Sequence, residues 1–571
     1  MLKDLPATAD TFLAYSWADI QPFYQELLAA HLDADEAAVW LADWTRLSDL
    51  VSESLNRLQV ATTQDTADQQ AELRYNAYLD GIFSPAQAAE QQLKQKLLAS
   101  GLKPAGMDNP LRKMQAEADL FAAANLPLLA QERKLGFAYN KIIGAQTIVW
   151  DGQEVTLQQL RPVYYQPDRG RRAAAWQAAA GRQLADRAAI NALWVQQLDL
   201  RSKLAENAGQ PDYRAYRWQQ QLRLDYTPED CANFREAIER VAVPAATRVY
   251  ARHQRALGVE SLRPWDLDQD LFVIPHPALP GYGSTADLLD RAAQVFQRVD
   301  PQLGTYFDRM RLENLLDVEN RKGKAPGAYC TYYPVIKRPF IFGNFVGLFS
   351  DVRTLLHESG HAFHNFESAS LPYAQQRRPG LEFSEVASMG MELLSSPYWA
   401  EAAGGFFEAA EARRARIAHL ERILVFWPYM AVVDAFQHWV YTHPQAARDP
   451  ANCDAYWLGL WQRFIPGVDW GGLEAAAATG WHRKQHIHRS PFYYVEYGLA
   501  QLGAVQVWGN ARQDQAKAVA DYRRALALGG TATLPELYAA AGAKFAFDAE
   551  TLGEAVDLIE TAISELGNSP K

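Results

Sequence analysis

The stretch from Asp351 to Phe366 contains residues whose types and spacing could bind a metal ion. His357, Glu358 and His361 form a His-Glu-x-x-His motif. On an α-helix, residues four apart share a face and lie about 6 Å apart along the axis, so both imidazoles can bind one tetrahedral zinc ion. Glu358 lies about 100° further round the helix, where it can act as a general base on a metal-bound water. The motif therefore predicts a hydrolytic zinc site.

A helix is needed to bring the two histidines together, and the apolar pattern of this stretch is typical of one. The large apolar residues fall on the side of the predicted helix roughly opposite the histidines. These residues are Val352, Leu355, Leu356, Phe363 and Phe366. We expect that apolar face to be buried and the histidine face to line a cleft.

A hydrolytic zinc site also needs a third protein ligand and one open position for water. His364 shares the histidine face but lies about 10 Å along the axis from the first histidine, so we expect it to pack beside the site. Glu385 and Glu392 share one face of a predicted helix that is otherwise apolar, where unpaired buried carboxylates would be costly. We predict Glu385 as the third ligand and Glu392 as a residue that orients the site, with Glu382 as the alternative ligand.

A second cluster of polar rings follows near residue 490. Three of the chain's 12 histidines fall within residues 482–488, and Tyr493 and Tyr497 come soon after them. Peptide hydrolysis by an activated water develops negative charge on the carbonyl oxygen, which tyrosine and histidine donors can stabilise. A single tyrosine in such a place often only packs, but the whole cluster together with the metal motif favours catalytic assistance.

The residues just before the metal motif have the pattern of paired strands. Residues 327–333 and 338–345 flank a predicted turn at 334–337. A sheet edge beside the metal helix could bind an extended peptide as an added strand, through the backbone of Gly327, Ala328 and Tyr329. A purely structural hairpin is the alternative. A second hairpin is predicted around Asp151-Gly152.

Composition excludes several classes of protein. The chain has 571 residues, of which 49% are hydrophobic and 22% charged, with a formal net charge of −11. That charge argues against a nucleic-acid partner. No apolar run is long enough to cross a membrane, and the first residues lack the apolar core of a signal peptide. The three cysteines are widely spaced and odd in number, which favours a reducing compartment. We expect a cytoplasmic protein.

The order of predicted elements suggests three regions. Residues 1–110 form a helical region, residues 111–185 contain the Asp151-Gly152 hairpin, and residues 186–571 contain every residue considered for chemistry. An Ala-rich helical run spans the second boundary. The predicted fold class is mainly α.

Taken together, these motifs resemble the thimet oligopeptidase family of zinc peptidases, and most closely its oligoendopeptidase F branch. The resemblance runs from about residue 110 to the end of the chain. It is carried by residues 323–330, 342–345, 357–364, 383–388, 488–497, 534–537 and 542–545.

The resemblance implies a mainly helical, two-lobed molecule with a deep substrate channel, a zinc ion on its floor and a small β-sheet beside the zinc helix. It implies one zinc ion per chain and short oligopeptide substrates cleaved at internal bonds. The family's zinc ligands correspond to His357, His361 and Glu385, and its catalytic glutamate to Glu358.

The family's transition-state tyrosine and histidine map onto residues 488–497. The spacing in this segment is tighter than in the thimet branch. We assign the main role to Tyr497, with Tyr493 and His488 assisting.

Two alternatives stay open at this point. One is a related metallocarboxypeptidase or dipeptidyl carboxypeptidase that trims peptides from one end. The other is a non-catalytic helical protein that binds peptides. The sequence makes no prediction of oligomeric state.

Overall fold

The structure is a computed structural model that describes residues 2–268, 272, 279, 281–325 and 327–568. Most of this part of the chain is α-helical, which confirms the predicted mainly α fold class. The α-helices are α1 (Ala9–Phe12), α2 (Trp17–Ala29), α3 (Ala37–Gln64), α4 (Gln69–Tyr78), α5 (Ser84–Ser100), α6 (Asp108–Leu120), α7 (Leu126–Gly144), α8 (Arg161–Tyr164), α9 (Arg169–Ala185), α10 (Arg187–Asn207), α11 (Tyr213–Gln220), α12 (Pro228–Ala237), α13 (Val243–Leu257), α14 (Thr285–Val299), α15 (Pro301–Leu312), α16 (Phe349–Ser368), α17 (Leu381–Ser395), α18 (Ala409–Thr442), α19 (Pro444–Ala447), α20 (Pro450–Phe464), α21 (Glu474–Ala478), α22 (Gln485–Arg489), α23 (Tyr494–Gln513), α24 (Gln515–Ala527), α25 (Leu534–Ala540) and α26 (Ala549–Asn568).

Short helical segments of other types lie between these helices. Within the described residues, two are π-helical, Leu79–Phe83 and Ile238–Ala242, and six are 3₁₀-helical: Ala123–Asn125, Pro264–Asp266, Ala374–Arg377, Ser396–Tyr398, Glu401–Ala403 and Gly480–Arg483. The strands are β1 (Thr147–Trp150), β2 (Gln153–Thr156), β3 (Leu316–Glu319), β4 (Tyr329–Tyr333) and β5 (Arg338–Phe345).

The chain divides into two compact units, each built from three separate stretches. Unit 1 comprises Met1–Asp119, Pro280–Ala412 and Gly503–Phe545, and unit 2 comprises Leu120–Leu279, Arg413–Leu502 and Ala546–Lys571. The boundaries near residues 110 and 185 stay a prediction.

Unit 1 contains a three-stranded sheet with the order β3-β5-β4. β4 and β5 are antiparallel, with Tyr329 opposite Phe342 and Tyr333 opposite Arg338, which confirms the predicted strand pair. β3 runs parallel to β5. Both β4 and β5 pack against α16, so the sheet lies beside the helix that carries the His-Glu-x-x-His motif.

Unit 2 contains the other predicted hairpin. β1 pairs with β2 in an antiparallel register that places Trp150 opposite Gln153. The two turn residues between them, Asp151 and Gly152, have φ angles of 48° and 79°. Asp-Gly is favoured at such a turn because both central residues must adopt positive φ. The ribbon packs on a small apolar cluster that includes Leu160 and Ala175.

No helix in the described part of the chain is both long enough and apolar enough to span a membrane.

Candidate active site

The helix that carries the metal motif is fixed firmly at its start. One carboxylate oxygen of Asp351 accepts hydrogen bonds from the backbone N–H groups of Val346, Gly347 and Leu348, at 2.7, 3.0 and 3.0 Å. The Tyr282 hydroxyl donates to the same oxygen at 3.1 Å. At the start of a helix such N–H groups lack acceptors within the helix, and a negative charge there also complements the helix dipole.

The packing of α16 follows the apolar pattern of its sequence. The five large apolar residues predicted to face the core are buried, which confirms the predicted buried face: Val352, Leu355, Leu356, Phe363 and Phe366. On the other side, the His357 and His361 side chains are 21% and 22% exposed. The helix therefore presents two partly accessible imidazoles from a rigid support.

The three predicted metal ligands lie together. One imidazole nitrogen from each of His357 and His361 and one carboxylate oxygen of Glu385 all lie within 4.8 Å of one another. The Nε2 atoms of the two histidines are 3.4 and 3.7 Å from Oε2 of Glu385. Zinc bonds of about 2.0–2.1 Å in tetrahedral geometry place neighbouring ligand atoms about 3.3 Å apart. This set of donor atoms therefore fits a zinc ion closely.

Glu385 reaches the histidines because α17 packs very closely on α16 at Gly360. A Cβ atom at position 360 would lie 2.4 Å from the carbonyl oxygen of Ala387 and 2.6 Å from the Cα of Ser388. Only glycine permits this approach of the two helices. The Ser388 hydroxyl then donates to Oε2 of Glu385 at 2.9 Å and holds the carboxylate in place.

The second predicted carboxylate, Glu392, contacts the Nδ1 side of the His357 ring. Its Oε1 atom lies 2.7 Å from Nδ1 of His357, and its Oε2 atom lies 3.6 Å from the Arg353 guanidinium. Burial lowers the pKa of His357, but the hydrogen bond and charge of Glu392 outweigh it and raise that pKa to about 9. A hydrogen bond to Nδ1 leaves Nε2 directed at the site, as in many zinc centres.

Glu358 lies beside β4. Its side chain is 8% exposed. Burial is the main cause that raises its pKa, to about 7, while the charge of His357 and a hydrogen bond from the Cys330 backbone N–H oppose the rise. A carboxylate that gains and loses a proton near neutral pH suits general acid–base chemistry.

Two further candidates from the sequence lie outside the metal group. His364 is buried, its ring faces Phe383 with 6.2 Å between ring centroids, and burial lowers its pKa to about 3. This is the packing position expected for it. Glu382 is also buried, and among the described residues it does not join the group of three metal-binding side chains.

Gly327, Ala328 and Tyr329 lie where β4 begins, with Tyr329 as its first residue. β4 is an outer strand of the sheet in the described part of unit 1. Gly327 is exposed and has a φ of 99°, a conformation that favours glycine.

In the ring cluster of unit 2, the two predicted tyrosines are accessible and the predicted histidine is buried. Tyr493 and Tyr497 are partly exposed, with 5.2 Å between ring centroids. His488 is 1% exposed, its Nδ1 lies 3.0 Å from Oε1 of Gln197, and its ring stacks on Tyr139 at 4.3 Å. Burial holds the pKa of His488 well below its usual value. A ring enclosed in this way belongs to the core of unit 2.

The histidine that lies beside the two tyrosines is His486. Its ring centroid is 6.0 Å from that of Tyr493 and 6.3 Å from that of Tyr497, and its side chain is partly exposed. His486, and not His488, is therefore the accessible histidine beside the two tyrosines. The sequence placed both histidines in one cluster, but only packing distinguishes the buried one from the accessible one.

A second group of metal-binding residue types occurs in unit 2. Cys231, Asp434 and His438 are buried with their donor atoms within 4.8 Å of one another. However, Arg235 forms an ion pair with Asp434, and burial raises the pKa of the Cys231 thiol well above its usual value. A carboxylate already neutralised by arginine and a protonated thiol make a poor cation site. This group is best explained as a buried polar network.

The family model described as peptidase family M3 matches residues 163–556. Among proteins with curated descriptions, none matches the chain in sequence.

Solved structures resemble the chain over nearly its whole length. PZ peptidase A, solved with an inhibitor, is 27% identical with a TM-score of 0.86, and the match covers 99% of each chain. A protein provisionally described as oligoendopeptidase F is 28% identical with a TM-score of 0.87, covering 96% of this chain and 97% of that one. A protein of the same provisional description from Bacillus anthracis str. Ames is 24% identical with a TM-score of 0.82, covering 99% and 98%, and shows the likeness of fold.

Proposed function

This chain belongs to peptidase family M3, and we propose that it is a zinc-dependent oligoendopeptidase that hydrolyses internal bonds of short peptides. The observation that carries the proposal is the convergence of His357, His361 and Glu385 beside Glu358. The proposal includes one zinc ion per chain, short oligopeptide substrates and a cytoplasmic location.

His357, His361 and Glu385 would hold the zinc ion, which when bound supplies a Lewis acid for the attacking water and the scissile carbonyl. Glu392 orients His357 through the bond to Nδ1. Glu358 removes a proton from the attacking water and later delivers it to the leaving amine. Its elevated pKa suits it to both steps, because it must accept a proton and then release it.

We place the substrate backbone along the outer edge of β4. An extended peptide can add to this edge as another strand, with hydrogen bonds to the backbone of Gly327, Ala328 and Tyr329. The Cys330 backbone N–H lies within hydrogen-bonding reach of Glu358. A peptide on this edge would therefore run past the general base.

We assign stabilisation of the developing oxyanion to Tyr497, with Tyr493 and His486 assisting. Their support is chemical: all three are hydrogen-bond donors, all are partly exposed, and their rings lie within 6.3 Å of one another. Donors aimed at the oxygen on which charge develops lower the barrier of acyl transfer.

The proposal is tested with internally quenched peptides that are blocked at both ends, which an exopeptidase should leave intact. The wild type should cleave them, and the purified protein should contain one zinc ion per chain by mass spectrometry. Glu358→Gln should keep the zinc but lower kcat by about 100-fold or more, the usual contribution of a general base.

The matched control is Glu382→Gln, the same change at a buried glutamate of α17 that lies outside the metal group. This variant should keep both zinc and activity. A Glu358→Gln variant with normal turnover would exclude the proposed mechanism, and loss of zinc from Glu382→Gln would instead identify Glu382 as a ligand. Blocked peptides left intact by an enzyme that trims unblocked ones would indicate an exopeptidase.

A further inference from the structure

The segment between β3 and β4 contains a lysine that is enclosed by backbone and carboxylate oxygens. The Nζ atom of Lys324 donates to the carbonyl oxygens of Asp317, Glu319 and Gly343 at 2.9, 3.0 and 2.6 Å, and to Oδ1 of Asp317 at 2.9 Å. It also lies 4.4 Å from the centroid of the Phe342 ring. The Lys324 side chain is 0% exposed. An ammonium has three donors, so these contacts use its full capacity.

A second side chain fixes the next part of the same segment. Nδ2 of Asn344, on β5, donates to the carbonyl oxygens of Ala325 and Gly327, at 2.6 and 3.0 Å. One amide group therefore holds two carbonyl groups that lie directly ahead of β4.

The segment is also bound to the C-terminal end of α3. The Ala325 N–H donates to the carbonyl oxygen of Thr63 at 2.8 Å, and the Thr66 N–H donates to the carbonyl oxygen of Gly323 at 2.6 Å. The hydroxyl groups of Thr63 and Tyr329 are 2.6 Å apart. These bonds link a distant part of unit 1 to the first residue of β4.

The hydrogen bonds that pair β4 with β5 do not extend to Gly327 and Ala328. The pairing of β4 with β5 begins at Tyr329 opposite Phe342. The backbone at Gly327 and Ala328 is therefore held by the bond from Asn344 and by the contacts of the residues just before it. Enclosing a lysine in this way costs desolvation energy, which the saturated set of acceptors offsets.

We infer that Lys324 and Asn344 are positioning residues for the peptide substrate, because they hold the backbone ahead of β4 in the place where the substrate adds as a strand. The inference rests on the proposed function. Neither side chain is assigned to the metal or to the proton transfer, so their loss should weaken peptide binding and leave the chemical step largely intact.

The test compares Lys324→Met with Lys322→Met, which removes the same charge from an exposed lysine two residues away. Lys324→Met should raise KM about tenfold while kcat stays within about threefold, and Lys322→Met should change neither by more than about twofold. The fold should survive, because Asp317 keeps bonds from Arg321 at 2.6 and 2.9 Å and from Gln64 at 2.8 Å.

Two variants of Asn344 test the effect of this segment on KM independently of Lys324. Asn344→Ala removes both bonds, while Asn344→Asp places carboxylate oxygens against two carbonyl oxygens. The rise in KM should therefore be larger for Asn344→Asp than for Asn344→Ala. Equal KM values for the wild type, Lys324→Met and Asn344→Asp would overturn the inference.

If the proposed function is wrong, the peptide-cleavage assay gives a different result. A wild-type protein that leaves blocked peptides intact refutes that function, and with it the substrate role of these residues. Hydrogen exchange of the backbone amides of residue 325 and residues 327–333 needs no activity, and it should be faster in Lys324→Met than in Lys322→Met. Unchanged exchange together with unchanged KM would show that the lysine does not hold this segment.

Discussion

Replacing Gly360 by alanine should separate the two helices that form the metal group. The added Cβ would lie 2.4 Å from the Ala387 carbonyl oxygen, whereas ordinary contact needs about 3.5 Å, so α17 must move by about 1 Å. Metal sites tolerate changes of about 0.2 Å in ligand distance. Because Glu385 is carried on α17, we expect zinc affinity to fall by about 10- to 100-fold, the range measured when a supporting contact is lost.

The free energy of unfolding of the metal-free protein should change by less than the free energy of zinc binding. Overpacking costs about 1–3 kcal/mol, and the better helix propensity of alanine offsets about 1 kcal/mol of that cost. The deciding assay is therefore a zinc competition titration with a chelator of known affinity, with thermal unfolding of the metal-free protein measured alongside.

The matched control is Gly459→Ala in α20, where an added Cβ meets no atom within 4 Å. This variant should bind zinc like the wild type and unfold at the same temperature or slightly higher. If Gly360→Ala binds zinc as tightly as Gly459→Ala, the close approach of α16 and α17 does not position Glu385.

Three further predictions concern Glu392 and the ring cluster of unit 2. Glu392→Gln weakens the hydrogen bond to Nδ1 of His357, so zinc affinity in the same titration should fall by about tenfold. An unchanged affinity would show that Glu392 does not orient His357. Tyr497→Phe and His486→Ala should lower kcat by about 100-fold with KM nearly unchanged, as expected for groups that act on the transition state. His488→Ala should instead lower the unfolding temperature, because it removes a ring from the core of unit 2. The assignment of His486 fails if steady-state kinetics show that only His488→Ala loses turnover while its unfolding temperature stays normal.

Local sequence determined the parts of this protein that depend on neighbouring residues. The four-residue spacing of His357 and His361 sets their distance on any helix, and the apolar pattern of α16 selects which side is buried. The Asp151-Gly152 pair likewise predicts its turn, because few residues adopt positive φ at low cost. Each of these features follows from the geometry of a single element, and the structure places each as predicted.

Contacts between distant parts of the chain decided where the other candidate site residues lie. The sequence predicted Glu385 as the ligand with Glu382 as the alternative, and the close packing of α17 on α16 at Gly360 is what brings Glu385 to the histidines. His486 and His488 share a segment, yet the packing of unit 2 buries one of them. Such distinctions depend on how separate elements approach one another, and that information is spread over residues far apart in sequence.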